Sequence, residues 1–248
     1  MKGVILAGGV GSRLYPLTCV TNKHLLPVYD RPMIFYPLQT LVNAGIHEIV
    51  IVTGGHSAGD FLRLLRNGKD FGINRLSFSY QEGEGGIANA LAQAEDLVRD
   101  EDICVILGDN ILDSDIGFAR NSFERQRAGA RILLKEVPDP ERFGVPVFDN
   151  DDRIIRIEEK PARPRSPYAV IGVYFYDRTV FDRIRSLKPS ARGEYEITDV
   201  NNSYLNDGTL AHDVIDGWWT DAGTFESLWH ASDLVREKRV AKIKAMVA

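Results

Sequence analysis

Short runs rich in β-branched and aromatic residues alternate along the chain with segments whose apolar residues recur at helical spacing. The runs predict eight strands, at positions 2–7, 48–53, 76–80, 103–108, 131–137, 153–158, 168–176 and 210–215. Helical patterns lie between most of them, and at 86–98 the residues Ile87, Leu91, Ala94 and Val98 fall on one face. Because strand–helix–strand order implies parallel strands joined by right-handed crossovers, the pattern predicts an α/β fold.

The stretch 143–176 differs, because strand patterns fill it with little helix between them. It predicts an antiparallel or mixed addition to the sheet rather than a separate domain. Elsewhere, four glycines each follow a helical pattern and precede a strand, where a helix end needs a left-handed residue. They are Gly45, Gly68, Gly129 and Gly208. No break in composition divides the chain, so we expect a single domain.

Composition narrows the classes of function. The 248 residues are 44% apolar and 26% charged, and no apolar run approaches the roughly 18 residues of a membrane helix. The net charge of −5 argues against a nucleic-acid surface but allows a phosphate ligand held by a few local cations. Cys19 and Cys104 are too few for a disulfide framework. Without an evident export signal, we expect a cytoplasmic protein with no membrane partner.

The first predicted strand runs into a glycine-rich loop, Gly8-Gly9-Val10-Gly11-Ser12-Arg13. Ligands of parallel sheets bind at the carboxyl ends of strands, and glycines let backbone N–H groups approach an anion closely. A dinucleotide fingerprint would need glycine in place of Leu14, and the chain's one Gly-Lys pair is followed by aspartate, so the Walker pattern fails too. The loop indicates either a phosphate site or an ordinary tight turn.

Two cations accompany this loop. Arg13 ends it, and Lys23 lies in the segment Asn22-Lys23-His24-Leu25-Leu26-Pro27, between turn residues and an apolar run. Either cation alone is most simply a solvated surface charge. Together, beside a glycine loop, they suit a triphosphate.

Two aspartates occupy comparable positions. Asp109 comes directly after a buried strand, and Asp221 precedes a late helix. Each could be a helix cap or turn residue, which is the common role of a lone aspartate. Together they could share one Mg²⁺, which takes oxygen ligands and usually shares them with phosphates.

A charged triplet, Glu158-Glu159-Lys160, ends another strand just before a proline. Strand alternation places Glu158 and Lys160 on one face and Glu159 on the other, unless a bulge intervenes. The proline stops ladder pairing. The triplet is either a solvated strand end or part of a binding site.

Ten segments occur in one order from residue 2 to about residue 228: LAGGVGSRLYPLT, NKHLLPV, PMIFYPL, GGIANAL, LGDNI, DPERFGV, IEEKP, YAVIGVYFYD, ARGEYEITDVN and WWTDAGTFESL. In this order they resemble the sugar-1-phosphate nucleotidylyltransferases over nearly the whole chain. The resemblance implies a Rossmann-like mixed, mostly parallel central sheet flanked by helices, with a smaller antiparallel addition on the sugar side. It divides the single domain, 1–248, into a mainly nucleotide-binding half at 1–110, a mainly sugar-binding half at 111–228 and a C-terminal helix at 229–248.

The resemblance also implies an activity. The phosphate of glucose 1-phosphate attacks the α-phosphorus of dTTP, giving dTDP-glucose and pyrophosphate, with Mg²⁺ as cofactor. Such a displacement needs no protein nucleophile, which fits the lack of an evident catalytic triad. The expected catalytic residues are Arg13, Lys23, Asp109 and Lys160. By motif, the resemblance places the nucleotide against Gly8, Gly9, Gly11 and Ser12, with Arg13 on the pyrophosphate, Lys23 near the α-phosphate, and Gln81 and Gly86 at the thymine edge. It places Mg²⁺ on Asp109 and Asp221. On the sugar side it places Gly144, Glu159 and Val170 around the glucose and Lys160 near the sugar phosphate.

Three positions depart from the family pattern. His24 stands where glutamine is usual near the pentose, Phe143 where tyrosine is common and Ile171 where threonine is common.

Thymine and uracil share one Watson–Crick edge, so uridylyl or cytidylyl transfer stays an alternative. A non-catalytic sugar-nucleotide sensor is a second alternative. The resemblance further implies a homo-oligomer, a tetramer, that binds small molecules and no nucleic acid.

Overall fold

The computed structural model describes residues 1–247 and shows strands and helices alternating along the chain. The strands are β1 (Lys2–Ala7), β2 (Pro27–Val28), β3 (Arg31–Pro32), β4 (Glu48–Gly54), β5 (Arg75–Gln81), β6 (Ile103–Leu107), β7 (Asn110–Leu112), β8 (Ala130–Glu136), β9 (Gly144–Phe148), β10 (Ile154–Glu159), β11 (Tyr168–Tyr176), β12 (Leu210–Val214) and β13 (Trp219–Asp221). The helices are α1 (Phe35–Asn43), α2 (Ala58–Leu65), α3 (Ile87–Ala92), α4 (Glu95–Val98), α5 (Gly117–Gln126), α6 (Val180–Ser186), α7 (Ile197–Asn206) and α8 (Phe225–Val247).

Nine strands form the central sheet, in the order β10-β9-β11-β6-β1-β4-β5, with β8 pairing to both β11 and β12. The strands β6, β1, β4 and β5 are mutually parallel, whereas β11 runs antiparallel to β6, β8 and β9. The predicted fold class is therefore confirmed. The antiparallel strands lie where the stretch 143–176 predicted them.

Strand alternation builds a core on each face of the sheet. In β1, Val4 and Leu6 join one apolar cluster, while Ile5 and Ala7 join the cluster on the opposite face. This two-residue period is what a strand covered on both sides requires. A third, smaller cluster packs the start of α8 onto the β2–β3 hairpin through Met33, Ala222 and Ala231.

Several predicted boundaries change. The helix predicted at 86–98 is split into α3 and α4, because the Ser79 hydroxyl donates a hydrogen bond to the Gln93 carbonyl, where the helix would continue. The C-terminal helix begins at Phe225 rather than at residue 229. The short strands β2, β3, β7, β9 and β13 are absent from the prediction. The four glycines at predicted helix ends have positive φ, although arginines, Arg66 and Arg127, directly end α2 and α5.

The structure also bears on two predictions made from composition, which concern a membrane helix and a disulfide framework. Within residues 1–247, no helix combines the length and apolar character needed to cross a membrane. Cys19 is exposed and Cys104 is buried, and both are free thiols.

Candidate active site

The carboxyl ends of β1, β5 and β6 open into a cleft of about 460 Å³, whose opposite wall comes from β9, β10, β11 and α7. The cleft brings together all but one of the residues predicted for the site. Those that line it are Gly8, Gly9, Ser12, Arg13, Lys23, Gln81, Gly86, Asp109, Gly144, Glu159, Lys160, Val170 and Asp221. Residues far apart in sequence therefore share one cavity, as a two-substrate site requires.

Gly11, the remaining residue, supports the loop instead of lining the cleft. Its φ of +69° is left-handed, and a Cβ there would lie 2.9 Å from the Thr18 side chain and 3.0 Å from Lys23 Cβ. By contrast, Gly9 has open space around it, so its backbone is accessible to a ligand. A Cβ on Gly8 would collide with Oε1 of Gln81. The loop needs glycine for close packing at positions 8 and 11.

Lys23 reaches into the cleft from a single 3-10 turn that begins after Asn22. The Asn22 side chain caps this turn by accepting a hydrogen bond from the His24 N–H at 2.9 Å, and it donates to the Ala7 carbonyl at 3.2 Å. The turn is thereby tied to the end of β1. Lys23 Nζ forms an ion pair with Oδ2 of Asp109, and both side chains are largely buried.

His24 is buried and lines the floor of the cleft. Its Nδ1 is 2.7 Å from Asn22 Oδ1, and Gly108 leaves the space its ring occupies, since a Cβ there would lie 2.6 Å from the ring. Burial, helped by the charge of Lys23, lowers the pKa of His24 to about 3. The imidazole is therefore neutral throughout the physiological range.

The two-stranded antiparallel sheet formed by β7 and β13 brings Asp221 close to Asp109. In the β13–β7 ladder Asp221 pairs with Asn110, and the Ala222 N–H donates to the Asp109 carbonyl at 2.9 Å. Oδ1 of Asp221 is buried and has no hydrogen-bond donor among the residues that the structure describes. An acceptor buried without a partner is costly unless a ligand supplies the missing charge.

The two carboxyl groups have opposite pKa shifts. Burial, together with repulsion from Asp109, raises the pKa of Asp221. Burial acts in the same direction on Asp109, but the charge of Lys23 and hydrogen bonds from Lys23 and Asn110 outweigh it and hold that pKa well below its usual range. Asp109 is thus ionised and paired with Lys23, whereas the nearby charges of Lys23 and Arg13 only partly offset the raised pKa of Asp221.

Asn110 joins the elements around this pair. Its Oδ1 accepts hydrogen bonds from the Gly172 N–H at 2.9 Å and from Trp219 Nε1 at 2.7 Å, and its Nδ2 donates to Asp109 Oδ1 at 3.1 Å. Three strands, β7, β11 and β13, meet at this one side chain. The sequence offered only its position beside Asp109 as a signal for this role.

The opposite wall is centred on Glu159. Its Oε2 accepts a hydrogen bond from the Thr198 hydroxyl at 2.6 Å, and its Oε1 lies 3.4 Å from Arg192 Nη2 and 3.7 Å from Lys160 Nζ. Lys160 has φ of +44°, which turns its side chain to the same side as Glu159. The simple strand alternation expected for the triplet is therefore wrong at its last residue, while Glu158 pairs with Arg156 away from the cleft.

Two residues that depart from the family pattern, Phe143 and Ile171, lie in different surroundings. Phe143 lines the cleft and packs edge-on against Trp219, with ring centroids 5.1 Å apart. Ile171 is fully buried in an apolar cluster of the sheet and does not line the cleft. Several polar cleft residues were missed because each is an ordinary helix or strand residue in the sequence; these are Asn110, Tyr174, Thr198, Asn201 and Trp219.

A glycine loop, cations on both walls and two adjacent carboxylates define a site for transfer between phosphate groups. A family model described as Nucleotidyl transferase matches residues 2–238, and the chain belongs to that family. The sequence motifs predicted this membership, and it is confirmed.

Similar members of the family include glucose-1-phosphate thymidylyltransferases. The one from Mycolicibacterium smegmatis is 48% identical over 239 residues, covering 95% of this chain and 82% of the relative. The one from Neisseria meningitidis is 45% identical over 245 residues, covering 95% and 83%. A solved Bacillus anthracis structure, described as a glucose-1-phosphate thymidylyltransferase in complex with a sucrose, has a TM-score of 0.91 and 52% identity and covers 95% of both chains. A UDP-glucose pyrophosphorylase structure, 22% identical with a TM-score of 0.83, shares the fold.

Proposed function

We propose that this chain transfers a thymidylyl group from dTTP to α-D-glucose 1-phosphate, giving dTDP-glucose and pyrophosphate. The observation that carries the proposal is the meeting of Lys23, Asp109 and Asp221 beside the glycine loop, opposite a wall built on Glu159. The names of the relatives, at 45% to 48% identity and high coverage, support the same substrates.

In the proposed reaction, a phosphate oxygen of the sugar phosphate attacks the α-phosphorus of dTTP, and the bond to the departing pyrophosphate breaks in line. The loop at Gly8, Gly9 and Ser12 would hold the nucleotide through backbone N–H groups. Arg13 would bind the pyrophosphate, and Lys23 would neutralise charge at the α-phosphate. Catalysis here is positioning and charge compensation, without a covalent enzyme intermediate.

Lys160, Glu159, Gly144 and Val170 would form the sugar side. Glu159 is held by Thr198 and suits sugar hydroxyls, because a carboxylate accepts their hydrogen bonds. Lys160, exposed at the rim, would meet the sugar phosphate. At the other end, Gln81 and Gly86 would read the base.

Asp109 and Asp221 fit a Mg²⁺ ion. Both are oxygen ligands, and Oδ1 of Asp221 is buried without a hydrogen-bond partner in the described part of the chain. Among the side chains that the structure describes, no group of three or more His, Cys, Asp and Glu is arranged for a metal, so substrate phosphates and water would complete the shell, as Mg²⁺ tolerates. The ion would supply further charge neutralisation at the triphosphate.

The test is a pyrophosphate-release assay that crosses dTTP, UTP, CTP, ATP and GTP with several sugar 1-phosphates, with and without Mg²⁺. We expect the highest turnover with dTTP and glucose 1-phosphate, and none after chelation of the metal. Faster turnover with UTP would favour uridylyl transfer instead. Size-exclusion chromatography with light scattering tests the proposed tetramer, and fractionation of cells tests the proposed cytoplasmic location.

A further inference from the structure

The amide of Gln81, at the end of β5, is held in one orientation by a residue outside the predicted site. Its Nε2 donates a hydrogen bond to Oδ1 of Asn89, on α3, at 3.1 Å. Gln81 is 6% exposed, so its side chain has little freedom to turn. Asn89 does not line the cleft.

This hydrogen bond decides which atom faces the nucleotide. With Nε2 committed to Asn89, the other amide atom, Oε1, lies against Gly8, where a Cβ would collide with it. Oε1 accepts no hydrogen bond from the described part of the chain. The base end of the cleft therefore presents an acceptor.

We propose that Asn89 is a specificity-determining positioning residue: it fixes the Gln81 amide so that the cleft selects a pyrimidine base with an N3–H donor. Thymine and uracil carry that donor, whereas cytosine has an acceptor at N3. The inference rests on the proposed function, since it assumes that the base lies at Gln81.

Cytosine could pair with Gln81 only if the amide turned over. Turning would place Oε1 against Oδ1 of Asn89, in the position where Nε2 now lies 3.1 Å away, so the Asn89 amide would have to turn with it. If only Gln81 turned, two acceptors would face each other without a proton between them. Leaving such groups unpaired lowers affinity by roughly 10- to 100-fold.

The experiment measures dissociation constants for dTTP, dUTP and dCTP by isothermal titration calorimetry in the presence of Mg²⁺. These nucleotides share one pentose and differ only in the base. The variants are Asn89→Ala, which removes the acceptor, and Asn89→Asp, which can only accept and so keeps the amide in place. Gln93→Ala is the matched control, because Gln93 is an exposed amide one turn further along that contacts the Asn89 carbonyl and not Gln81.

For the unaltered chain and for Gln93→Ala, we expect dTTP and dUTP to bind at least about tenfold more tightly than dCTP. Asn89→Ala should bring that ratio to within about threefold, while Asn89→Asp should retain it even if its added charge weakens all three nucleotides. Thermal melts check that each variant is folded.

An unchanged ratio in Asn89→Ala would overturn the proposal, as would a ratio lost equally in Asn89→Asp. The proposed function fails in a different way. In that case the unaltered chain neither binds dTTP nor releases pyrophosphate from it, whatever stands at position 89.

Discussion

At the scale of single residues, the site places two aspartates in opposite electrostatic situations. Asp109 has Lys23 and Asn110 as partners, whereas no described residue donates a hydrogen bond to Oδ1 of Asp221. Without metal, the charged form of Asp109 therefore stabilises the fold, and the charged form of Asp221 destabilises it. A carboxyl group whose pKa is raised beside a substrate cleft is typical of a functional position.

The two aspartates should differ in their effect on stability. Because the pKa of Asp221 is raised from 3.8, its contribution to the free energy of unfolding falls as pH rises from that value through the folded pKa. Asp221→Asn should thus raise the melting temperature of the metal-free protein at pH 7. Asp109 has a lowered pKa, so its contribution is present at neutral pH and is lost as pH falls below 3.8. Asp109→Asn should lower the melting temperature. Calorimetry at pH 7 in EDTA checks both.

Both substitutions should nevertheless abolish most turnover, by about 100-fold or more, because each removes charge from the proposed metal site. In the double variant the losses should be far from additive, since the two groups act as one unit. Near-normal turnover in either single variant would remove that residue from the metal site.

Replacing the two lysines of the cleft should change different kinetic constants. If charge redistributes near Lys23 as the α-phosphorus is attacked, Lys23→Met should lower kcat and kcat/KM together. Lys160 would hold the sugar phosphate in ground and transition states alike, so Lys160→Met should mainly raise the KM for glucose 1-phosphate. Steady-state kinetics with each substrate varied in turn provide the measurement.

Methionine keeps much of the stem and removes the charge, whereas arginine would introduce a planar fork. Lys23→Met also leaves the buried Asp109 carboxylate without its partner, so a melting curve must accompany the kinetics. A higher KM for dTTP in Lys160→Met, with that for glucose 1-phosphate unchanged, would contradict the sugar-side assignment.

At the scale of elements, the Asn110 side chain links β7, β11 and β13 by hydrogen bonds. Its replacement by alanine leaves the Gly172 N–H, Trp219 Nε1 and Asp109 Oδ1 without partners. We expect Asn110→Ala to destabilise the fold by about 2–4 kcal/mol and to reduce turnover by displacing Asp109. Denaturant unfolding and the turnover assay measure the two effects. Asn43→Ala serves as the control, because this exposed amide accepts a hydrogen bond from Gln39 on the same helix and lies outside the cleft.

Elements also show where sequence patterns are informative. Long apolar strands such as β1, β4, β6 and β11 follow from local periodicity, since each is buried on one or both faces. β7 and β13 are three residues long and exist because they pair with each other across the fold, which no local pattern encodes. For the same reason, the motifs placed Asp109 and Asp221 in the site, but the strand pairing that brings them close had to come from the structure.

Backbone conformation limits prediction in a second way. Alternation along β10 could not foresee the turn at Lys160, because a positive φ is uncommon for a lysine. The turn brings Lys160 beside Glu159, so the charge pattern of the sugar side depends on one dihedral angle rather than on spacing.

At the scale of the whole molecule, the parallel and antiparallel parts of the sheet supply opposite walls of one cleft. A ligand that bridges them should stabilise the protein as a unit. At 100 times its dissociation constant, dTTP with Mg²⁺ should add about 2.7 kcal/mol to the free energy of unfolding, or roughly 5–10 °C in melting temperature. Differential scanning fluorimetry measures the shift.

The metal-dependent part of that shift should vanish in Asp221→Asn. An equal shift with and without Mg²⁺ in the unaltered chain would mean that the nucleotide binds without the cation.

The pairing of β13 with β7 also determines when the complete site can form during synthesis of the chain. Trp219 and Asn110, which bond across this ladder, are 109 residues apart in sequence. A ribosome that adds about 5–20 residues per second needs roughly 5–20 s to make the second strand after the first. Throughout that interval the glycine loop, Lys23 and Asp109 exist on the nascent chain without Asp221. Nascent chains should therefore acquire the complete carboxylate pair only near the end of translation, after the parallel strands have been made.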